Sequence, residues 1–252
     1  MSHFLSGHPR LRLCSLGSDC GIKSNLVMWV GHQLGISNDI TEASTYSKGP
    51  YRVDSDRARI SSYLSASIFD WTVTNAKSID WLSAMLLSPS SVTLLDHKHE
   101  IIFNESKKIF RHDPSGISFY HILEGQQEAV AIQDFYNSNL SIIQSKTEYL
   151  LSQTVESLHS IHAIFYVRLP EFDPSSLYIE SIEKLLSIDC VRSRIVLVVP
   201  SCEPRNVECC CNGKLLKLFC SPSEFASYGQ PSAWAHLIEE SIRFFYSNGG
   251  GI

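Results

Sequence analysis

The sequence predicts a single α/β domain with a mostly parallel central sheet flanked by helices. Apolar runs at 11–16, 163–169 and 194–200 have the composition of strands that are buried on both faces. The segments 177–188 and 231–247 carry apolar residues at the three- to four-residue spacing of helices. Alternation of buried strands with amphipathic helices is typical of a sheet covered by helices. The chain of 252 residues, 44% of them hydrophobic, is long enough to bury such a core.

The first apolar run passes through a small-residue turn directly into a helix. Ile22, Leu26 and Leu34 recur at helical spacing after the turn, and Gly35 is a suitable C-cap. The N-terminal region therefore predicts a strand, a tight turn and a helix.

A polar insertion follows at 37–60, rich in Ser, Thr, Asp and Arg with Gly49-Pro50 near its centre. Long polar connections in compact domains are often functional loops. We expect 1–252 to form one domain, with this insertion mostly irregular and near the opening of a cleft.

The middle of the chain predicts a helix at 74–88, then short strands at 100–104 and 117–123. The turn signal Asp113-Pro114-Ser115-Gly116 separates the two strands. A long helical pattern follows, at roughly 126–158.

After the buried strand at 194–200, the sequence predicts a connection, a third strand and a final helix. Residues 203–213 are turn-rich, and 214–220 predict a third, shorter strand. Pro231 begins the final helix, which ends before Asn248-Gly249.

The charge balance and the apolar patterning exclude several classes of protein. A formal net charge of -5 argues against a binder of nucleic acid or anionic membranes that works by bulk electrostatics. No apolar stretch is long enough for a transmembrane helix, so we expect no integral membrane association. The N-terminus lacks the pattern of a secretory signal peptide. We therefore expect a cytoplasmic protein, or one exported without a cleavable signal peptide, such as a bacterial effector.

Cys20 is the first candidate for a catalytic residue. It stands where the predicted strand and turn give way to the predicted helix. Unpaired N–H groups and the dipole at a helix N-terminus favour a thiolate, and the same groups can stabilise an oxyanion. The alternative is that Cys20 is a small buried side chain in a tight turn.

Three runs carry a resemblance to a known family: SLGSDC at 15–20, IFDW at 68–71 and GISFYH at 116–121. In this order they resemble motifs of a bacterial family of papain-like cysteine peptidases whose function is otherwise unknown. The apolar strand that ends in Val167-Arg168 also fits. The resemblance implies a thiol nucleophile at a strand-to-helix turn, and a papain-like α+β fold as the alternative architecture.

The chain departs from the family pattern at two positions. Ile68 stands where the family has proline, and Ile122 stands where it has an acidic residue after the histidine.

A nucleophilic thiol needs a base, for which imidazole is suited because its pKa lies near neutrality. His121 is favoured, since it follows an alternating run and matches the family histidine; His112, in the preceding turn, is its rival. His97 and His99 alternate along one segment, but two ligands make a poor zinc site. We therefore predict neither a metal nor a cofactor.

Asp70 is the candidate for orienting the imidazole. It lies between two aromatic residues, which favours a buried carboxylate with a definite hydrogen-bonding role. An equally weighted alternative is that Asp70 caps the helix that begins a few residues later. Asp134 is the other candidate, because papain-like enzymes take this residue from beyond the histidine, although it falls in a helical pattern.

Two further groups contain side chains that can act as nucleophiles or ligands. Cys209, Cys210 and Cys211 are consecutive, and adjacent cysteines cannot easily all face one ion, so we interpret these thiols as incidental, with oxidation or metal capture as the alternative. Ser18 is a weak alternative nucleophile, because Gly17-Ser18-Asp19 has the residues of the lipase serine turn in another order.

These observations predict a thiol-dependent hydrolase or acyl-transfer enzyme that acts on a protein or peptide through Cys20, His121 and Asp70. Water as the second nucleophile would give a peptidase, an amidase or a glutamine deamidase. One alternative is a non-catalytic protein-binding module on the same scaffold. The other is an α/β hydrolase or transferase acting on a carbohydrate or an ester.

Overall fold

A computed structural model describes residues 4–17, 21–36, 54–70, 72–88, 101–104, 109–112, 115–119, 145, 147–169, 175–202, 206–222 and 231–247. A 3-10 turn at Leu5–Gly7 precedes the first strand. In chain order the elements are β1 (Arg12–Ser15), α1 (Gly21–Gln33), α2 (Asp54–Ser61), β2 (Thr72–Val73), α3 (Ala76–Leu87), β3 (Ile101–Asn104), β4 (Ile109–His112), β5 (Ile117–Phe119), α4 (147–158), β6 (Ala163–Arg168), α5 (Ser175–Leu186), β7 (Arg194–Pro200), β8 (Asn206–Cys210), β9 (Leu215–Cys220) and α6 (Pro231–Ser247).

A five-stranded sheet with the order β1-β6-β7-β9-β8 forms the centre of the protein. The first four strands are parallel, and β8 is antiparallel to β9. Leu13 of β1 pairs with Ile164 of β6, and Tyr166 of β6 pairs with Val196 of β7. The prediction of one α/β domain with a mostly parallel, helix-flanked sheet is confirmed, and the structure does not follow the papain-like α+β alternative.

The alternating side chains of the central strands enter two separate cores. Val196 and Val198 of β7 pack with apolar residues of α1 and α6. Ile195 and Leu197 of the same strand pack on the opposite face with residues of α3, α4 and α5. Because both faces are covered, these strands have continuous apolar sequences rather than an alternating pattern. This is why their positions could be predicted.

A second sheet is antiparallel and has the order β2-β5-β4-β3. The sequence predicted β3 and β5 but neither β2 nor β4. The strand β4 directly precedes the predicted turn, so His112 lies in a strand rather than in that turn. Residues 115 and 116 do form a turn, with Gly116 at φ 67°.

The strand β8 corrects the prediction that 203–213 is only a turn-rich connection. It pairs with β9 through Val207↔Leu218 and Cys209↔Leu216. Most of β8 is exposed, because it lies at the edge of the sheet. An exposed edge strand lacks the buried-face pattern by which strands are recognised in a sequence.

The helix α2 occupies the last part of the segment 37–60, which was expected to be mostly irregular. Residues 37–53 lie outside the described residues. Ile60 is buried in the same core as α1, whereas α2 is otherwise polar. A helix with so small an apolar face gives almost no periodic signal.

None of the helices in the described part of the chain is both long and apolar enough to cross a lipid bilayer.

One polar contact lies inside the core between β6 and α6. The hydroxyl groups of Tyr166 and Ser241 are 2.9 Å apart, and both residues are buried. Ser241 also donates a hydrogen bond to the carbonyl oxygen of Ile238, so the Tyr166 hydroxyl donates to Ser241. Burial raises the pKa of Tyr166, which keeps this donor protonated.

We expect Ser241→Ala to destabilise the fold more than Tyr166→Phe. The first substitution leaves a buried hydroxyl donor without its acceptor, at a cost of about 1–3 kcal/mol. The second removes one hydrogen bond, worth about 1 kcal/mol, because Ser241 keeps its bond to Ile238. Urea denaturation of both variants measures the difference, and equal losses would contradict this account.

Candidate active site at the carboxyl end of the parallel sheet

The turn that leaves β1 at its carboxyl end is the centre of the candidate site. Ligands of open parallel sheets bind at this end of the strands. The strand β1 ends at Ser15 and the helix α1 begins at Gly21. Gly17 adopts φ 95°, a conformation that disfavours side chains, and its N–H donates to Ser15 Oγ at 3.2 Å. The predicted strand and helix are confirmed, and residues 18–20 of the predicted turn lie outside the described residues.

Gly17 also allows a close approach between the turn and a neighbouring segment. A Cβ at this position would collide with the side chain of Thr74, which lies between β2 and α3. Thr74 is buried, and its hydroxyl is 3.5 Å from that of Tyr178 in α5. The turn is thus packed against two other elements.

A segment beside β1 leads the chain to the same end of the sheet. The N–H of Leu13 donates to the carbonyl oxygen of Tyr63 at 2.8 Å, and the N–H of Ser65 donates to that of Leu13 at 3.1 Å. Residues 63–65 therefore run parallel to β1, on the edge of β1 that does not pair with β6. The residues that follow, 67–70, therefore begin close to the end of β1.

The residues 67–70 form a turn that α4 holds in place. The backbone N–H of Asp70 donates to the carbonyl oxygen of Ser67 at 3.1 Å. Thr154 Oγ1 of α4 accepts the N–H of Ile68 at 2.9 Å and donates to the carbonyl oxygen of Leu150 at 2.8 Å. A proline at position 68 would lack this donor, so the N–H of Ile68 helps to hold the turn against α4.

The carboxylate of Asp70 is buried, with 4% of the residue exposed. Its Oδ2 lies 2.9 Å from Lys23 Nζ in the first turns of α1, and it accepts the N–H of Ser67 at 3.0 Å. Lys23 Nζ also donates to the carbonyl oxygen of Ser65 at 2.9 Å. Oδ1 of Asp70 is equally buried and has no hydrogen-bond partner among the described residues. One oxygen is therefore satisfied, and the other is an available acceptor.

The electrostatics of Asp70 reflect a competition between two effects. Burial raises its pKa, while the ammonium group of Lys23 and the N–H of Ser67 act in the opposite direction. The expectation that Asp70 is buried with a definite hydrogen-bonding role is confirmed. The alternative, that it caps the next helix, is wrong: Asn75 caps α3 by accepting the N–H of Ser78.

A second thiol lies near this ion pair. Cys14 of β1 is fully buried, and burial raises the pKa of its thiol to about 11. Ser157 and Ser65 hydrogen-bond to it, and Lys23 acts on it electrostatically, each lowering the pKa by less than burial raises it. Cys14 is therefore protonated near neutral pH and unsuited to nucleophilic attack.

Of the three predicted catalytic residues, the structure places Asp70 alone. Cys20 and His121 lie outside the described residues, as do His97, His99, Asp134 and Ser18. The backbone of His112 lies in β4 opposite Ile101 and Ile117. The combination of Cys20, His121 and Asp70 therefore stays a prediction.

Lys23 is the residue of the candidate site that sequence analysis missed. A cation in the first turns of a helix is unfavourable, because the helix dipole places partial positive charge there. Lys23 is also the one Lys or Arg in an otherwise neutral helix. A positive charge at this unfavourable position was the feature of the sequence that could have indicated an acidic partner for Lys23.

Comparisons with models of protein families, with curated proteins and with solved structures find no match to this chain. The resemblance to papain-like cysteine peptidases therefore stays a prediction from the motifs.

We expect Gly17→Ala to destabilise the protein by about 2–4 kcal/mol, because the left-handed backbone is strained and the new Cβ meets Thr74. Gly7→Ala is the matched control, since a Cβ there meets open space, and it should change stability by less than about 0.5 kcal/mol. Urea denaturation compares the two variants. Equal stability of both would show that the turn tolerates a side chain.

We expect Asp70→Asn to cost about 3–5 kcal/mol, because it leaves the Lys23 ammonium group buried without its counter-ion. At mildly acidic pH, Lys23→Met should cost less than Asp70→Asn, because Asp70 can take up a proton there. The cost of Lys23→Met should grow as the pH rises, because loss of the ammonium group raises the folded-state pKa of Asp70 further above the unfolded-state value than burial already does, and ionisation of Asp70 then favours unfolding more in the variant.

Denaturation of both single variants and the double variant at two pH values measures this coupling. The exposed pair of Lys184 and Asp80, 3.4 Å apart, is the matched control. Asp80→Asn should cost less than about 1 kcal/mol. Additive effects of the Lys23 and Asp70 substitutions would contradict a buried, coupled pair.

Proposed function

We propose that this protein is a thiol-dependent hydrolase or acyl-transfer enzyme acting on a protein or peptide substrate. In this proposal Cys20 is the nucleophile, His121 is the general base and Asp70 orients the imidazole. A peptidase, an amidase and a glutamine deamidase share this chemistry, since each begins with thiolate attack on a carbonyl carbon.

The unpaired oxygen of Asp70 is the observation that carries the proposal. A buried carboxylate oxygen without a donor costs free energy, which an imidazole N–H would recover. Lys23 and Ser67 both bind Oδ2, so they leave Oδ1 available without competing for it. A histidine on Oδ1 would have its tautomer fixed and its charged form favoured.

The start of α1 supports the choice of Cys20. Cys20 directly precedes Gly21, the first residue of a helix of 13 residues. The N–H groups at such a terminus favour a thiolate and can bind the oxyanion that forms on attack. Lys23 adds a cation within the first turns of the same helix, at the side where Asp70 lies.

The reaction then follows from these roles. The Cys20 thiolate attacks the substrate carbonyl carbon, and the imidazolium of His121 gives its proton to the leaving amine. The resulting thioester is released by water, with the imidazole accepting the water proton. An amine or alcohol in place of water would give acyl transfer.

We expect Cys20 to be alkylated by iodoacetamide at least about 10-fold faster than any other thiol near pH 6, because an ordinary thiol has below about 1% thiolate there. The reduced full-length chain is treated with limiting reagent, and peptide mass spectrometry gives the rate at each of the eight cysteines. The exposed Cys190, Cys202 and Cys209 are the internal references, and buried Cys14 should react slowest.

Substitution of the proposed partners should remove this selectivity at mildly acidic pH. His121→Ala should reduce the Cys20 rate to that of the exposed references, and Asp70→Asn should lower it in part. Thermal melting of each variant establishes that it is folded at the assay temperature. A Cys20 rate equal to that of Cys190 in the unsubstituted protein would refute the enzyme and favour the protein-binding module.

A further inference from the structure

The hairpin between β8 and β9 carries a second group of reactive side chains, on the face of the sheet that α5 covers. Cys210 is the last residue of β8, and Cys211 is the first residue of the turn. Cys211 and Asn212 both adopt a left-handed backbone, with φ 52° and 55°. In an extended strand, neighbouring side chains point to opposite faces. The left-handed conformation breaks that alternation and allows both sulfur atoms to lie on one side.

A carboxylate completes this group. The two Sγ atoms and a carboxylate oxygen of Glu183 in α5 all lie within 4.8 Å of one another. All three residues are half-buried, and both cysteines pack against the core beneath α5. The consecutive cysteines were expected to be incidental because adjacent side chains diverge; at Cys211 the backbone removes that objection.

We propose that Cys210, Cys211 and Glu183 form a binding site for a thiophilic divalent cation of the zinc class. Thiolate sulfur and carboxylate oxygen are both ligands of Zn²⁺ in proteins. With bonds of about 2.3 Å to sulfur and 2.0 Å to oxygen, tetrahedral ligand atoms lie about 3.5–3.8 Å apart. The three side chains need to close by only about 1 Å to reach this geometry, and a water molecule takes the fourth position.

Lys217 balances the charge of the bound site. Its Nζ lies 3.0 Å from Glu183 Oε1, and its side chain is 15% exposed. Two thiolates, one carboxylate and one ammonium group together carry two negative charges, which a divalent cation neutralises. Lys217 binds Oε1, so Oε2 of the same carboxylate can be the ligand.

The test uses Co²⁺ as a spectroscopic substitute for Zn²⁺ on the reduced, metal-free full-length chain. We expect one equivalent of Co²⁺ to produce a sulfur-to-cobalt charge-transfer band, and Zn²⁺ to abolish it. Cys210→Ser and Cys211→Ser should each weaken Co²⁺ binding at least about 10-fold and diminish the band, because each removes a thiolate ligand.

Two control substitutions should leave the binding unchanged. Cys209→Ser removes an exposed thiol that is adjacent in sequence but outside the cluster. Cys20→Ala removes the proposed nucleophile, so it separates a failure of this site from a failure of the proposed enzyme. Full Co²⁺ affinity in the double variant Cys210→Ser/Cys211→Ser, or its loss in Cys209→Ser, would overturn the proposal.

Substitutions of Glu183 and Lys217 test whether Glu183 is a ligand of the metal ion or only supports the hairpin. Glu183→Gln should weaken Co²⁺ binding about 10-fold, because the amide is a poorer ligand. Lys217→Gln should strengthen it, because it removes a cation beside the bound cation. If Glu183 only anchored the hairpin through Lys217, both substitutions would weaken binding equally, and that result would overturn its role as a ligand.

Discussion

The ion pair between Lys23 and Asp70 is the interaction on which the geometry of the candidate site depends. It joins two segments that are separate in sequence: the start of α1 and the residues 65–70, which pair alongside β1 and then form the turn that contains Asp70. Removing two charges from water is costly, and the cost is offset only when geometry and further hydrogen bonds are good. Here the carbonyl of Ser65 and the N–H of Ser67 supply those bonds, so the pair tolerates few other arrangements of these segments.

The ion pair also gives the two oxygen atoms of the Asp70 carboxylate different environments. Both described donors bind one oxygen, which fixes the plane of the group and leaves the other oxygen in a low-dielectric environment. Hydrogen bonds are stronger in such an environment than in water, and a buried polar atom that lacks a partner costs more free energy there. A structural ion pair and an orienting carboxylate are therefore compatible roles for the same side chain, each using a different oxygen.

The part of the fold that could be predicted is the part in which burial dictates composition. Strands such as β7 are covered on both faces and so are apolar throughout, whereas the exposed edge strand β8 and the polar helix α2 carry no such pattern. The turn at Gly17 and the burial of Asp70 were predictable from local chemistry. The partner of Asp70 was not, because Lys23 is 47 positions away and only the folded chain brings the two together. The shared side of Cys210 and Cys211 likewise depends on backbone angles that their identities do not reveal.

The position of β1 in the sheet has a consequence for how the chain folds. Leu13 pairs with Ile164, about 150 residues later, whereas β6, α5 and β7 are neighbours both in the chain and in space. Closing so long a loop is slow, and ribosomes add about 5–20 residues per second, so β1 waits roughly 8–30 s for its neighbour. During that interval its apolar residues have no sheet to join. The strand β1, although it is the first strand to be synthesised, is therefore completed as part of the sheet only after β6 has been made.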